Sequence, residues 1–323
     1  MDHRTGTHVV IGAGNIGLAL VSYLSAEGCK TQLISRSQPY FLPNGVEFIR
    51  TDALKETELA RSLTNGDYVY HTIGVPYDKW VDDYPRIMTN ILSVLQKKET
   101  PTTFVYADNF YMHGEEGSTL GPMNEDTPHL AKGKKGLLRS KLAQQALQAH
   151  DPDYLNVTIG RGSDFFGPGG LNSILHYFLF ENLVAGKTLR FPGNMEVKHS
   201  FIYLKDFAKG LATIGTDPSA YGKVWALPHI SGLTSGAFFA EALELFGRDR
   251  SERVRGIPKF ILHLAGLFDK QVREVKEVLY QTQHDWVVDD SRFASTFGWE
   301  ATPFKNAMVE TVEWYKRDYV FST

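Results

Sequence analysis

The segment Val9-Val10-Ile11-Gly12-Ala13-Gly14-Asn15-Ile16-Gly17 restricts the fold more than any other part of the chain. Its apolar opening reads as a buried strand, its glycines as a tight turn, and the run from Ile16 to Leu24 as an amphipathic helix. The spacing G-x-G-x-x-G gives each glycine a separate task. Gly12 makes the turn, Gly14 lets the backbone approach a pyrophosphate, and Gly17 lets the helix pack closely on its strand. The first N–H groups of a helix and its dipole favour an anion at that point. Gly12, Gly14, Asn15, Ile16 and Gly17 are therefore expected to hold the pyrophosphate of a dinucleotide.

The rest of the first half alternates in the same manner. Strands are predicted over residues 8–11, 30–35, 46–50, 68–73, 103–107 and 155–160, with helices over 16–27, 54–63, 84–97 and 136–149. Such alternation predicts an α/β fold, a Rossmann-type doubly wound parallel sheet covered by helices on both faces. The second half is less regular. Residues 172–185 read as a helix closed by Gly186, 187–191 as a short strand, 203–213 as a loop entering a helix, and 224–227 as a further strand of the main sheet. Helices are predicted over 235–246, 258–267, 271–280 and 302–317, the last with Pro303 near its start. The expected division is a dinucleotide-binding domain over 1–165, with returns near 200–228 and 284–292. A smaller C-terminal substrate lobe then occupies 166–323.

Composition narrows the class. The 323 residues are 42% hydrophobic and 22% charged, ordinary for a globular protein with a full core. A net charge of −3 gives no reason to expect nucleic acid or an acidic membrane as partner. The single cysteine, Cys29, excludes an internal disulfide and a Cys-rich metal site, and the 11 histidines show no metal-ligand spacing. No apolar run reaches the roughly 18 residues needed to span a bilayer. The stretch 9–24 has the length of a signal-peptide core, but its glycines and Asn15 read as strand, turn and helix, with no small-residue cleavage site after them. A cytoplasmic protein acting on a small molecule is the expectation.

The end of the second strand bears on the choice of dinucleotide. An NAD site places an acid about 20 residues after the glycine turn, where it binds the ribose 2′-hydroxyl. Here the chain reads Leu33-Ile34-Ser35-Arg36-Ser37. A guanidinium flanked by Ser35 and Ser37 suits a 2′-phosphate, so NADP(H) is favoured over NAD(H). After the third strand, Asp52-Ala53 is placed to meet the adenine, or Asp52 caps the helix that follows.

With these segments read, the chain resembles the NAD-dependent epimerase/dehydratase family, the extended short-chain dehydrogenases, over nearly its whole length. Besides the glycine turn, the resemblance rests on Thr72-Ile73-Gly74 and on the fifth-strand segment from Tyr106 through Ala107, Asp108, Asn109, Phe110, Tyr111, Met112 and His113 to Gly114. It rests further on Arg161-Gly162-Ser163-Asp164-Phe165-Phe166-Gly167-Pro168, on the segment from His199 to Asp206, and on Gly298-Trp299 with Pro303. The resemblance implies that Thr72, Ile73, Gly74, Ala107, Ser163 and Asp164 lie beside the cofactor. It implies that Asp164, Phe166, His199 and Tyr203 lie on the substrate side.

The family's chemistry uses a tyrosine for proton transfer, a lysine four residues later on the nicotinamide ribose, and a serine or threonine on the fifth-strand loop. A phenol titrates near 10, so it needs a neighbouring cation to act near neutral pH. Lys141 is the candidate lysine, which puts Leu137 at the tyrosine position and Asn109 at the serine position. The usual engine is thus absent. Asp108 and Asn109 are the expected polar groups facing substrate or nicotinamide, and the replacement acid is sought among Tyr111, His113, Asp108, Asp164, His199 and Tyr203. The run Lys132-Gly133-Lys134-Lys135 meets an anionic substrate or lies in a solvated loop.

Two functional readings follow. One is an NADP(H)-dependent oxidoreductase or epimerase-like enzyme, with a nucleotide-sugar substrate implied by the resemblance alone. The other is a regulatory protein that senses the redox state of the bound dinucleotide and turns over neither form. A homodimer is expected through the helices 84–97 and 136–149, where Leu137, Leu138, Leu142 and Leu147 supply apolar surface or else face the sheet.

Overall fold

The computed structural model describes residues 5–257 and 276–319, and the chain divides into two compact units. The first comprises Met1–Met112, Lys134–Gly162 and Phe207–Leu227. Its elements are β1 (Thr7–Ile11), α1 (Asn15–Ala26), β2 (Lys30–Ser35), β3 (Glu47–Arg50), α2 (Glu56–Ser62) and β4 (Tyr68–His71). They continue with α3 (Trp80–Gln96), β5 (Thr102–Asp108), α4 (Lys134–Gln148), β6 (Leu155–Arg161), α5 (Leu204–Thr216, which begins in the second unit) and β7 (Lys223–Ala226). The strands form one seven-stranded sheet in the order β3-β2-β1-β4-β5-β6-β7, and every neighbouring pair is parallel. The strand order reverses between β1 and β4, which is where open sheets of this kind open a crevice at their carboxyl ends.

Both faces of the sheet are covered, which is why β1, β2 and β5 are almost wholly buried. On one face Val9, Ile11, Phe104, Tyr106, Val157 and Ile159 pack against Leu59 and Leu63 at the end of α2, Ile87 and Ile91 of α3, and Leu142 and Ala146 of α4. On the other face α5 lies so close that a Cβ on Gly160 would stand 2.9 Å from Leu211 and 3.1 Å from Ile214. β7, expected as a late strand of the main sheet, is its edge beside β6.

Several elements differ from the expectations. α3 begins at Trp80 rather than near Tyr84, because Trp80 and Tyr84 both bury their rings and outweigh the backbone hydrogen bond lost at Pro85. α4 begins at Lys134. Of its four leucines, Leu138 and Leu142 are core residues of the sheet face and Leu147 is partly buried against it, while Leu137 is exposed.

The second unit comprises His113–Gly133, Ser163–Asp206 and Pro228–Thr323. It holds a three-stranded sheet in which Lys198–Tyr203 lies between Asp164–Phe166 and Ile230–Thr234. The strand Ile230–Thr234 escaped the sequence reading. Thr234 caps the helix Ser235–Leu245 by accepting the Ala237 N–H at 3.1 Å. The helix expected over 172–185 contains a π turn, His176–Phe180, and ends with Gly186 at φ +64°. The strand expected over 187–191 is reduced to Arg190–Phe191. Leu204 starts a helix directly after the strand, with no intervening loop, and the last helix is Phe304–Arg317 behind Pro303.

The segment 284–292, expected to return to the nucleotide domain, belongs to this second unit. Trp286 bridges to His199, Val288 bridges to Met123, and the Val288 N–H donates to Ser200 Oγ at 2.8 Å. The same pairing draws residues 113–133 out of the first unit. The helix expected over 258–267 lies outside the described residues. So does the first half of the one expected over 271–280; its second half falls in a 3₁₀ segment, Lys276–Thr282. Among the described residues no helix is long and apolar enough to cross a membrane.

Candidate active site

The glycine turn takes the shape that its spacing requires. Gly12 sits at φ +116°, its N–H donates to Ile34 O at 2.8 Å, and a Cβ there would lie 2.9 Å from the backbone of Ile73. A Cβ on Gly17 would strike Gly12 O at 1.8 Å, so only glycine lets α1 seat against the turn. Thr72 Oγ1 braces the turn from β4's end, donating toward Ile11 O and Gly12 O at 3.1 and 3.2 Å. Around Gly14 there is nothing within 4 Å of a would-be Cβ. Gly14 is also the N-cap of α1, with no side-chain cap and no acidic residue in the first turn. Open space against a positively polarised helix start fits a pyrophosphate.

At the end of β2, Arg36 and Ser37 are exposed and Ser35 is half-buried, its hydroxyl donating to Ser37 O. Asp52 is half-buried, and its Oδ1 accepts the Leu54 N–H at 3.1 Å, as a turn-closing residue does. Ala53 is buried, its carbonyl held by Asn90 Nδ2 at 3.0 Å.

At the ends of β4, β5 and β6 lies a buried group that the sequence reading missed. Arg139 of α4 is 6% exposed. Its Nη1 donates to Tyr106 Oη at 2.7 Å, its Nη2 to Tyr84 Oη at 3.1 Å, and its Cζ lies 4.5 Å from the ring centres of both Trp80 and Tyr84. Asp108 lies between two guanidiniums, with Arg139 Nη1 at 3.4 Å and Arg161 Nε at 3.5 Å. His71 stacks on Tyr106 at 5.3 Å. Burial works against the Arg139 charge, yet Tyr106, Tyr84 and Asp108 hold it firmly protonated. Burial pushes the Asp108 carboxyl up against the pull of Arg139 and Arg161, and pushes the Tyr106 phenol well above its ordinary range. Burial and the Arg139 charge lower His71 to about 3, so its ring is neutral at pH 7.

Two expected site residues lie in or beside this group. The side chain of Asp108, expected to face substrate or nicotinamide, is buried between the two arginines. Lys141 is exposed on α4, two residues beyond Arg139 and thus about 200° round the helix from it. The basic side chains of α4 that are buried, four residues apart, are those of Lys135 and Arg139. The signal was a pair of cations in phase with the buried Leu138, Leu142 and Ala146. Of the basic run 132–135, Lys132 pairs with Glu116, while Lys135 is buried with its Nζ 5.3 Å above the Tyr77 ring centre.

Asn109 and Tyr111 remain at the carboxyl end of β5. Asn109 is half-buried, and its Oδ1 accepts the Tyr111 N–H at 3.0 Å. The hydroxyls of Tyr111 and Tyr77 lie 3.2 Å apart, and the Tyr111 ring stacks on Trp80. Ala107 is half-buried on β5, and Gly74 is exposed beyond β4 with open space at its Cα.

In the second unit, four expected site residues are buried. His113 is wholly buried, its Nδ1 3.2 Å from Pro128 O. Phe166 is core, edge-on to Phe238 and beside Tyr203. Tyr203 is 2% exposed and donates to Glu310; burial pushes its phenol well up. His199 is 1% exposed, its Nε2 2.9 Å from Asp164 Oδ2. Asp164 keeps partial exposure, and the Ser163 N–H donates to His229 Nε2 at 2.9 Å.

Residues 8–226 match the NAD dependent epimerase/dehydratase family. The chain belongs to that family, a family of enzymes. No curated protein matches it. Among solved structures it is similar to dTDP-glucose 4,6-dehydratase from Bacillus anthracis str. Ames in complex with NAD, at 16% identity over 98% of each chain, with a TM-score of 0.77. It is similar to UDP-glucuronic acid 4-epimerase from Bacillus cereus in complex with NAD, at 18% identity over 97% of this chain and 99% of that one, with a TM-score of 0.75. It is also similar to UDP-glucose 4-epimerase with UDP-glucose from Thermotoga maritima, at 16% identity, the same coverage, and a TM-score of 0.78.

Two tests follow from this geometry. Gly14→Ala meets no atom, so its melting temperature stays within about 2 °C of the parent while dinucleotide affinity falls at least tenfold. Gly12→Ala, strained and clashing, loses stability by about 2–3 kcal/mol as well. Calorimetric titration and thermal unfolding separate the two. The second test concerns His71. Its folded-state value lies below its unfolded value of 6.5, so the unfolded chain takes up more protons and stability falls as pH drops from 6.5 toward 3. His71→Gln is expected to flatten that decline, which approaches about 1.4 kcal/mol per pH unit at most, in urea unfolding curves at pH 7, 6 and 5.

Proposed function

We propose that the chain is an NADP(H)-dependent oxidoreductase or epimerase-like enzyme that acts on the carbonyl or hydroxyl of a nucleotide-sugar. The observation that carries this reading is the cradle at Gly12, Gly14 and Gly17, joined to an exposed Arg36, not an acid, at the end of β2. When bound, the dinucleotide supplies hydride transfer at its nicotinamide ring. A nucleotide-sugar substrate draws its support from the similar structures, whose names specify dTDP-glucose, UDP-glucuronic acid and UDP-glucose.

The chain's own residues bind, orient and move protons. With its carbonyl engaged by Tyr111 N–H, Asn109 offers its amide N–H groups to a substrate oxygen. Proton transfer falls to Tyr111, whose hydroxyl is paired with that of Tyr77, with the Lys135 ammonium over the Tyr77 ring. A nearby cation is what a phenol needs to give up its proton near neutral pH. The reading includes a homodimer through α3 and α4, supported by the exposed Leu137 and tested by light scattering at micromolar concentration.

Titration with NADPH and NADH tests the cofactor assignment. NADPH is expected to bind at least tenfold more tightly, with the advantage lost in Arg36→Ala; a preference for NADH overturns it. Turnover is checked with UDP- and dTDP-sugars. Tyr111→Phe is expected to lower kcat by about 10²–10⁴-fold while cofactor affinity changes less than about threefold. Tight dinucleotide binding with no turnover of any such sugar favours the regulatory alternative.

A further inference from the structure

Residues 73–75, just beyond the end of β4, are held by side chains at their backbone polar atoms. The Ile73 N–H donates to His71 Nδ1 at 3.3 Å, and the Tyr84 hydroxyl donates to Ile73 O at 3.1 Å. The Val75 N–H donates to Tyr84 Oη at 3.4 Å, and Trp80 Nε1 donates to Val75 O at 2.6 Å. Arg139 decides how the Tyr84 hydroxyl points. A guanidinium and a backbone N–H only donate, so the phenol oxygen accepts from Arg139 Nη2 and Val75 N, and its one proton goes to Ile73 O. The Arg139 Cζ also lies 4.5 Å from the ring centres of Trp80 and Tyr84, the two side chains of α3 that grip the loop. Gly74 lies between the gripped residues. It is exposed, has open space at its Cα, and its own N–H and C=O have no partner among the described residues. The same loop meets the glycine turn, since a Cβ on Gly12 would lie 2.9 Å from the Ile73 backbone.

We propose that Tyr84, oriented by Arg139, is a positioning residue for the dinucleotide: it fixes residues 73–75 so that the Gly74 peptide groups meet the nicotinamide half. The proposal rests on the dinucleotide reading above and deepens it. On that reading Arg36, at the end of β2, takes the adenosine half. β4 lies across the switch point from β2, so its end falls to the other half. A glycine between two held residues presents one donor and one acceptor with no side chain in the way. The carboxamide of a nicotinamide and the hydroxyls of its ribose both donate and accept, so either matches that pair. Tyr84 is itself buried and acts only through the loop. Its anchors stand on α3, α4 and the end of β4, all in the first unit, so rigid elements set the loop. Without the hydroxyl the loop samples other arrangements, and a site that is competent about a tenth of the time binds about tenfold more weakly.

The experiment is a calorimetric titration of the full chain with NADPH and, by displacement, with 2′,5′-ADP, which carries the adenosine half alone. Where the parent prefers NADH, the pair is NADH and ADP. The ratio of the two dissociation constants, half over whole, reads what the nicotinamide half adds. Tyr84→Phe keeps the ring and removes the hydroxyl. It is expected to lower the ratio about tenfold, with the affinity for the adenosine half kept within about twofold of the parent. Trp80→Phe removes the bond to Val75 O, is expected to lower the ratio about threefold or more, and decides if Tyr84→Phe fails to fold. Ile91→Val, a core change about two turns further along α3, lowers stability and leaves the ratio where it is. A ratio unmoved in the deciding variant, equal losses for both ligands, or the same shift in Ile91→Val overturns the proposal and leaves the dinucleotide reading standing. Binding of neither ligand by the parent overturns that reading and the proposal together.

Discussion

The structure of the first unit depends on one close approach. Where β1 ends, Gly12 turns with its N–H on Ile34 and its Cα against the backbone of Ile73. The turn is thus pinned from β2 on one side and from the end of β4 on the other. That is the point at which the strand order reverses. A side chain at Gly12 would push the β4 loop away, and one at Gly17 would lift α1 off the turn. Crevice and helix start are therefore one construction, made by the absence of three side chains.

Most of the sheet was legible because parallel strands with both faces covered leave a plain record. The short apolar runs became β1, β2, β4, β5 and β6 within a few residues of their expected bounds. Burial on both sides admits few alternatives at such positions. The second unit was less legible. The strand Ile230–Thr234 has two exposed positions and a register irregularity. The pairing of Val288 with Met123 spans 165 residues of chain (288 − 123) and rests on single bridges. No local periodicity announces a contact of that kind.

At the candidate site the shape of the backbone was legible in the sequence and the burial of the side chains was not. The glycine positions follow from spacing. The direction of a helix face does not, and a shift of two residues along α4 exchanged Leu137 and Lys141 for Lys135 and Arg139. The burial of Leu138, Leu142, Ala143 and Ala146 fixes the helix phase and puts Lys135 and Arg139 on the buried side. Likewise His199, Tyr203 and Phe166 were chosen for their chemistry, yet Phe166 and Tyr203 pack into the aromatic core of the second unit, and His199 is buried against Phe201. The unbroken apolar run Phe201-Ile202-Tyr203 was the sign that the strand Lys198–Tyr203 is buried along nearly its whole length.

The buried charges are costly, and their retention needs a physical reason. Removing two guanidiniums and a carboxylate from water costs several kcal/mol each, which apolar residues of similar size would avoid. Hydrogen bonds from Arg139 to Tyr106 and Tyr84, and its contacts with two aromatic rings, offset part of this. Arg139 is thereby held by two phenols, two ring faces and one carboxylate at once, which fixes the ends of β4 and β5 and the buried side of α4 relative to one another. Apolar side chains of the same volume would fill the space but would not specify that register, because packing contacts are not directional and hydrogen bonds are.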